Sequence, residues 1–380
     1  MRGSSSQLSA PLPLPDERPR LEHLASIRWG LLAAALALTA IGLATVHSAS
    51  AESGIDYLSR QSIWVAIGFV AMLVAFSFSY HTLLSFSLPL YVLSLVALVA
   101  VLLLGYEAGG AQGWFRIGSV GLQPSEFAKL ITALYLTRYL GGMAERELSL
   151  RQIATAIGIA AAPMLLIALE PDLGGAAMFV PMLAGMLLVA GVRARLLVTA
   201  LVAALAFGAL VWSFGMQDYQ RQRVVTFLQP ASDPLGAGYQ VRQSKIAVGS
   251  GELAGKGYMQ GTQSQLRFLP ARHTDFILAV LAEEWGFVGV ATVLALYAVY
   301  LANAGAVAAR ARDRQGILLV TGLGSVVAFH VLYNSAMVIG LVPITGIPLP
   351  FLSYGGSFTL VNWTVLGLLL GVDFRRYVNR

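Results

Sequence analysis

Residues 239–289 read YQVRQSKIAVGSGELAGKGYMQGTQSQLRFLPARHTDFILAVLAEEWGFVG, and the two halves of this stretch have opposite character. Up to Arg272 it is polar, basic and rich in glycine; after Thr274 it turns apolar and stays so for nearly the length of a membrane span. Asp275 sits on the seam, and Glu283 and Glu284 interrupt the apolar run behind it. A hydrophobic segment rarely keeps ionisable groups unless they face a protein interior or a cavity. The stretch therefore reads as a water-facing loop running into a membrane helix whose mouth carries a carboxylate.

Working outward, the whole chain fits that reading. Its 380 residues are 57% hydrophobic and only 12% charged, with a mean hydropathy of +0.71. Soluble domains carry about twice that share of charge, so the chain is expected to be a polytopic membrane protein. Lipid leaves no partner for an open sheet edge, so the expected fold is all-α. Hydropathy places about ten spans, near 28–48, 61–79, 84–104, 124–141, 152–169, 174–191, 196–214, 274–303, 316–338 and 354–372. Residues 1–26, broken by Pro11, Pro13, Pro15 and Pro19, read as a disordered cytoplasmic tail without a signal-peptide pattern. Residues 27–374 form the membrane domain, with a large extracytoplasmic loop at 215–273 between spans seven and eight, and 375–380 form a cytoplasmic end. There is no cysteine, which excludes disulfides and thiolate metal sites. The halves do not share broken spans at matching places, which argues against a transporter built from repeats.

Arginine fixes the expected orientation. Arg138, Arg146, Arg151, Arg193, Arg195, Arg310, Arg312 and Arg314 fall on the same side as both chain ends, whereas the short loops opposite hold Arg60 and Arg116. Both termini are thus expected in the cytoplasm. The 215–273 loop, with Arg221, Arg223, Arg242, Lys245, Lys256, Arg267 and Arg272, becomes a basic surface on the outer face.

Several constellations could carry chemistry. Thr274 is a plausible N-cap, which would put Asp275 in the first turn of span eight, where the helix dipole favours a charged carboxylate suited to general-base work. The plainer alternative is that Asp275 only charges a helix start. In GWFRIGSVGLQPSEFAKL (113–130), Pro124 suits a first helical position, and Glu126 and Lys129 follow on one face as an ion pair, either lining a cavity or locking two helices. The residues around Arg116 before it could lie in the membrane interface. Glu170 and Asp172 flank Pro171 at an outer junction, more simply a turn with Asp172 as N-cap than a metal site. At most one of Glu283 and Glu284 can face the cavity of Asp275. In TGIPLPFLSYGGS (345–357) the prolines forbid a regular helix, so this segment must be covered by protein or line a cavity. His47, His81 and His330 read as span ends or satisfied core groups.

Three stretches, LQPSEFAKL, GTQSQLRFLPARHTDFILAVLAEEWGFVG and GIPLPFLSYGGS, resemble the signatures of the shape, elongation, division and sporulation (SEDS) family of peptidoglycan glycosyltransferases. The likeness covers nearly all of Arg28 to Phe374. GTQSQLRFLP after GSGELAGKG is nearer the elongation members than the division members. Gly121 departs from relatives that carry a basic residue before QPSE. The resemblance implies polymerisation of lipid II on the outer face of the bacterial cytoplasmic membrane, with a class B penicillin-binding protein and other elongation-complex membrane proteins as partners and no nucleic acid. It puts the essential aspartate on Asp275, the Glu and Lys of the PSExxK stretch on Glu126 and Lys129, and the Gln-Ser-Lys run on Gln243, Ser244 and Lys245. Arg116, Arg242, Lys256, Arg272, His273, Thr274, Ser353 and Tyr354 complete the expected substrate-binding set. The resemblance implies no particular cofactor, and a Mg or Mn ion could assist the leaving diphosphate. The alternatives are a lipid II flippase, whose path Glu126, Lys129, Glu283 and Glu284 would line, and a scaffold that only activates a penicillin-binding protein.

Overall fold

A computed structural model describes residues 27–51, 54–108, 111–118, 120–143, 148–196 and 236–378, with a few isolated positions between 198 and 233. The expected tail at 1–26, most of span seven (196–214), Arg221 and Arg223 lie outside the described residues.

The described chain is helical with one small sheet. In order, the elements are α1 (Trp29–Ser50), α2 (Tyr57–Ser77), α3 (Tyr80–Ser85), α4 (Ser87–Leu104), β1 (Tyr106–Ala108), β2 (Ala111–Ile117), β3 (Val120–Leu122), α5 (Pro124–Gly141), α6 (Leu150–Leu169), α7 (Leu173–Ala177), α8 (Phe179–Val189), α9 (Ala237–Ser250), α10 (Thr262–Gln265), α11 (Ile277–Arg310), α12 (Arg314–Val338) and α13 (Gly356–Val378). Seven of these helices are long and apolar enough to cross a membrane, and the broken run Leu173–Val189 is a shorter apolar piece.

Small residues let helices meet closely, as packing in lipid requires. α2 and α13 pack along their length. Any Cβ on Gly68 would come within 2.8 Å of the Trp363 ring, and one on Gly367 within 2.3 Å of the Met72 carbonyl. Trp363 itself is fully buried at that seam.

Three local features differ from the sequence reading. The stretch around Arg116, for which the sequence specified no secondary structure, forms an antiparallel sheet in the order β1-β2-β3, with Phe115 opposite Leu122 and Arg116 opposite Gly121. Each strand pairs within the sheet, so the fold is not wholly helical. Second, Thr274 is not an N-cap: its hydroxyl bonds the Ala271 carbonyl, and α11 begins at Ile277 after a turn through Ala271, whose φ is +50°. Asp275 therefore lies in that turn, ahead of the helix. Third, span eight is broken at Gly286, where φ is +65°. The break leaves the carbonyls of Glu283 and Glu284 and the amides of Phe287 and Val288 without helical partners. The loop before α11 supplies them: Lys256 and Gly257 amides donate to the two carbonyls, and the Phe287 and Val288 amides donate to the carbonyls of Glu252 and Leu253. A side chain at Gly286 would strike the Gly255 backbone at 2.4 Å, which explains glycine there. The described part of the expected 215–273 loop is thus folded, with α9 and α10, and docked into the helix it precedes.

Candidate active site

The extended segment 343–355 after α12 is largely buried, as its prolines and unpaired backbone require, and it is anchored by polar side chains. Asn334 of α12, fully buried, donates through Nδ2 to the carbonyls of Ile347 (2.7 Å) and Asp275 (2.8 Å). Ser353 Oγ donates to the Thr274 carbonyl at 2.7 Å and accepts from the Leu349 amide at 2.9 Å. One network therefore fixes the turn that carries Asp275 to the wall formed by segment 343–355.

Between them opens a cavity of about 570 Å³. Asp275, Asp172, Glu126, Lys129, Gln123 and Tyr354 supply its principal polar lining, with Trp114 at the edge. Pro124 starts α5, as its missing N–H favours, and this places Glu126 in the first turn with Lys129 three residues on. The two form a buried ion pair at 2.8 Å. Among the described residues, Asp275 takes part in no ion pair. Burial, and then the Asp172 carboxylate, push its pKa up to about 6. The helix dipole does not dominate, because the residue precedes α11. A carboxylate still ionised at neutral pH yet raised toward it is well matched to accept a proton.

The remaining expected site residues fall into two groups. Tyr354 lines the cavity, and Thr274 borders it. His273 packs beside Tyr354 and Tyr57 with ring centroids 5.7 and 4.4 Å away, and burial, then Arg272, holds its pKa below the usual value. Gln243, Arg242 and Lys245 lie on α9, whose Ala237 and Gln240 line the cavity; Arg242 and Lys245 are exposed. Ser244 instead is buried and bonds the Val338 carbonyl at 2.7 Å. Ser353 serves the backbone network above. Arg272 is buried against the Ala49 carbonyl. Arg116 is exposed on β2 over the Tyr106 ring at 5.8 Å. Lys256 pairs with Glu283 at 2.7 Å.

Among the described residues lining the cavity, Glu283 and Glu284 do not appear, so they do not share it with Glu126 and Lys129. Glu283 accepts from Lys256, Thr262 and the Gln263 amide, and Glu284 accepts from Ser48 Oγ. Asp172 N-caps α7 by accepting from the Gly175 amide at 2.8 Å, and it also faces the cavity. His47 and His81 have polar partners in Tyr258 and Asp313. His330 does more than fill the core, since it lines the cavity too. Sequence reading missed Asn334 and this role of His330; polar residues four apart inside an apolar span were the available signal.

The family model for FtsW, RodA and SpoVE, described as cell cycle protein, matches residues 28–377. The chain belongs to this family. It is 40% identical to the peptidoglycan glycosyltransferase MrdB of Escherichia coli (strain K12) over 344 residues, covering 90% of this chain and 92% of that one. It is 32% identical to the peptidoglycan glycosyltransferase RodA of Treponema pallidum, covering 94% of this chain and all of that one. Among solved structures, one from a peptidoglycan synthase complex that coordinates polymerization and crosslinking superposes with a TM-score of 0.81 at 33% identity, covering 93% of this chain and 99% of that chain. The rod shape determining protein RodA of Thermus thermophilus gives 0.70 at 30% identity, covering 93% and 98%.

Proposed function

We propose that this chain is a peptidoglycan glycosyltransferase of the elongation type, polymerising lipid II with Asp275 as the base. The observation that carries the mechanism is the shared cavity: a partly buried carboxylate, without an ion pair among the described residues, opens onto the same space as the Glu126–Lys129 pair. The names of MrdB and RodA supply the reaction class.

In this reading Asp275 removes the proton from the acceptor sugar's 4-hydroxyl. The oxygen attacks the donor's anomeric carbon, the new glycosidic bond forms with inversion, and the bond to the diphosphate lipid breaks. That leaving group is already acidic and needs charge neutralisation rather than a proton, so one carboxylate and cations suffice. Lys129 lies in the cavity for this purpose, and the exposed Arg242 and Lys245 of α9 offer a cationic approach for an anionic lipid. A divalent cation would find the Asp172 and Asp275 carboxylates bordering the cavity. Among the described residues no cluster of three or more His, Asp or Glu forms a ligand set, and no step is routed through a metal.

The same reading puts the chain in the bacterial cytoplasmic membrane with both ends inside and the cavity outward. It also gives the chain a class B penicillin-binding protein as crosslinking partner, a role consistent with its likeness to a chain from a peptidoglycan synthase complex. Purified chain given lipid II in detergent micelles tests the proposal, since micelles have no leaflets to cross. Glycan chains on a gel support it, and Asp275→Asn should lose them with folded yield unchanged. Full activity in that variant would end the assignment of the base.

A further inference from the structure

His330 and Asn334 stand four residues apart on α12 and share one face of the helix. Asn334 is committed to two backbone carbonyls, those of Asp275 and Ile347. His330 is committed on one side only. Its Nδ1 lies 2.8 Å from the Pro348 carbonyl, which can only accept, so Nδ1 carries the proton. The neutral ring then presents a lone pair at Nε2, and among the described residues Nε2 has no hydrogen-bond partner. The ring is nearly buried and tilted against Phe358 at 5.1 Å, which fixes its plane. It borders the main cavity and, with Glu126 and Lys129, a second cavity of about 30 Å³ below it, room for about one water.

We propose that His330 is a substrate-binding residue: its Nε2 accepts a hydrogen bond from a hydroxyl or amide N–H of the amino sugar held in the cavity, setting that sugar against Asp275. This rests on the glycosyltransferase reading. A diphosphate offers only acceptors and calls for Lys129. Sugar hydroxyls and amide N–H groups are donors, and they need an acceptor that is not already taken. Lys129 engages one oxygen of the Glu126 carboxylate at 2.8 Å, which leaves that acid a charge partner first and a sugar acceptor second, and Asp275 is reserved for the reacting hydroxyl. A buried acceptor aimed at a ligand donor discriminates strongly, because an occupant without that donor leaves it unpaired.

The competing role is structural, with the ring only holding Pro348, and two substitutions separate the two. In His330→Asn the amide nitrogen can take the place of Nδ1 and keep the Pro348 bond, with nothing at the position of Nε2. In His330→Gln the longer amide reaches the position of Nε2 and gives up the Pro348 bond. KM and kcat for lipid II polymerisation are measured for both, with Kd for lipid II in an Asp275→Asn background. The expected result is a rise of about tenfold in KM and Kd for His330→Asn with kcat little changed, the loss of roughly one hydrogen bond. His330→Gln should stay within about threefold of the parent. The reverse order, or a fall in kcat with KM unmoved, overturns the proposal. If the parent makes no polymer, the glycosyltransferase reading fails by itself, and the order of the two Kd values still decides whether His330 binds the lipid-linked sugar.

Discussion

Asp275 and Glu283 lie eight residues apart, one just before α11 and the other in its first turns, yet their surroundings have little in common. Glu283 is fully buried and surrounded by donors: the Lys256 ammonium at 2.7 Å, the Thr262 hydroxyl at 3.0 Å and the Gln263 amide at 3.0 Å. Asp275 has no ion-pair partner among the described residues and opens onto a cavity of about 570 Å³. A carboxylate with every lone pair answered is a fastener; one left open beside a buried cationic pair is available to a substrate. Buried acids in an apolar helix thus divide by what meets their oxygens, not by depth.

Substitution should divide them the same way. Asp275→Asn is expected to cut polymerisation by at least about a hundredfold, the usual contribution of a general base, while the apparent Tm stays put. Glu283→Ala should do the reverse. It strands the Gln263 amide and frees Lys256, undoing the clamp of α10 on α11, at a cost of about 3 kcal/mol, the low end for a broken buried pair because Lys256 reaches water. Folded yield and Tm by scanning fluorimetry check this. If Glu283→Ala kept its stability and lost turnover, the contrast between the two acids would be wrong.

A smaller effect tests what tunes Asp275. Its pKa of about 6 comes first from burial and second from the Asp172 carboxylate. Polymerisation should therefore fall as pH drops through about 6, where the base takes up its proton. Asp172→Asn keeps the N-cap of α7 and removes the charge, so the acid limb of the profile should move to lower pH. A limb that stays in place would show that burial alone sets it.

Much of this site was readable before any coordinates, and the reasons differ by residue. Glu126 and Lys129 followed from Pro124 and an i, i+3 spacing, both local facts, and the pair forms at 2.8 Å. That segment 343–355 would be covered by protein or line a cavity followed from its prolines. Thr274 as an N-cap did not hold, because the positive φ at Ala271 makes a turn that composition does not announce. The break at Gly286 was hidden because a glycine in an apolar run reads as helix until another backbone is seen against it. Ser244, Ser353 and Arg272 were placed in the substrate set by likeness alone. Their partners, the carbonyls of Val338, Thr274 and Ala49, lie far away in sequence, beyond the reach of any spacing rule.

The comparison extends to a third acid, Glu170, which among the described residues has no donor and does not line the main cavity. It is fully buried, both side-chain oxygens lack partners among the described residues, and a Cβ on Gly113 of β2 would lie 2.8 Å from Oε2. Burial, then Asp172, push its pKa up to about 8 from 4.5. The sign follows from proton counting. Between pH 4.5 and about 8 the folded chain keeps a proton that the unfolded chain has released, so stability drops as pH rises through that window. Glu170→Gln carries no such proton. Its Tm should match the parent near pH 4.5 and exceed it by about 6 °C at pH 8 and above, since a rise of that width corresponds to about 5 kcal/mol. Asp275 titrates in both proteins, so its direct contribution largely cancels in the difference. A constant offset across the whole range would mean that Glu170 is held ionised by a donor, and that it belongs with Glu283 as a fastener.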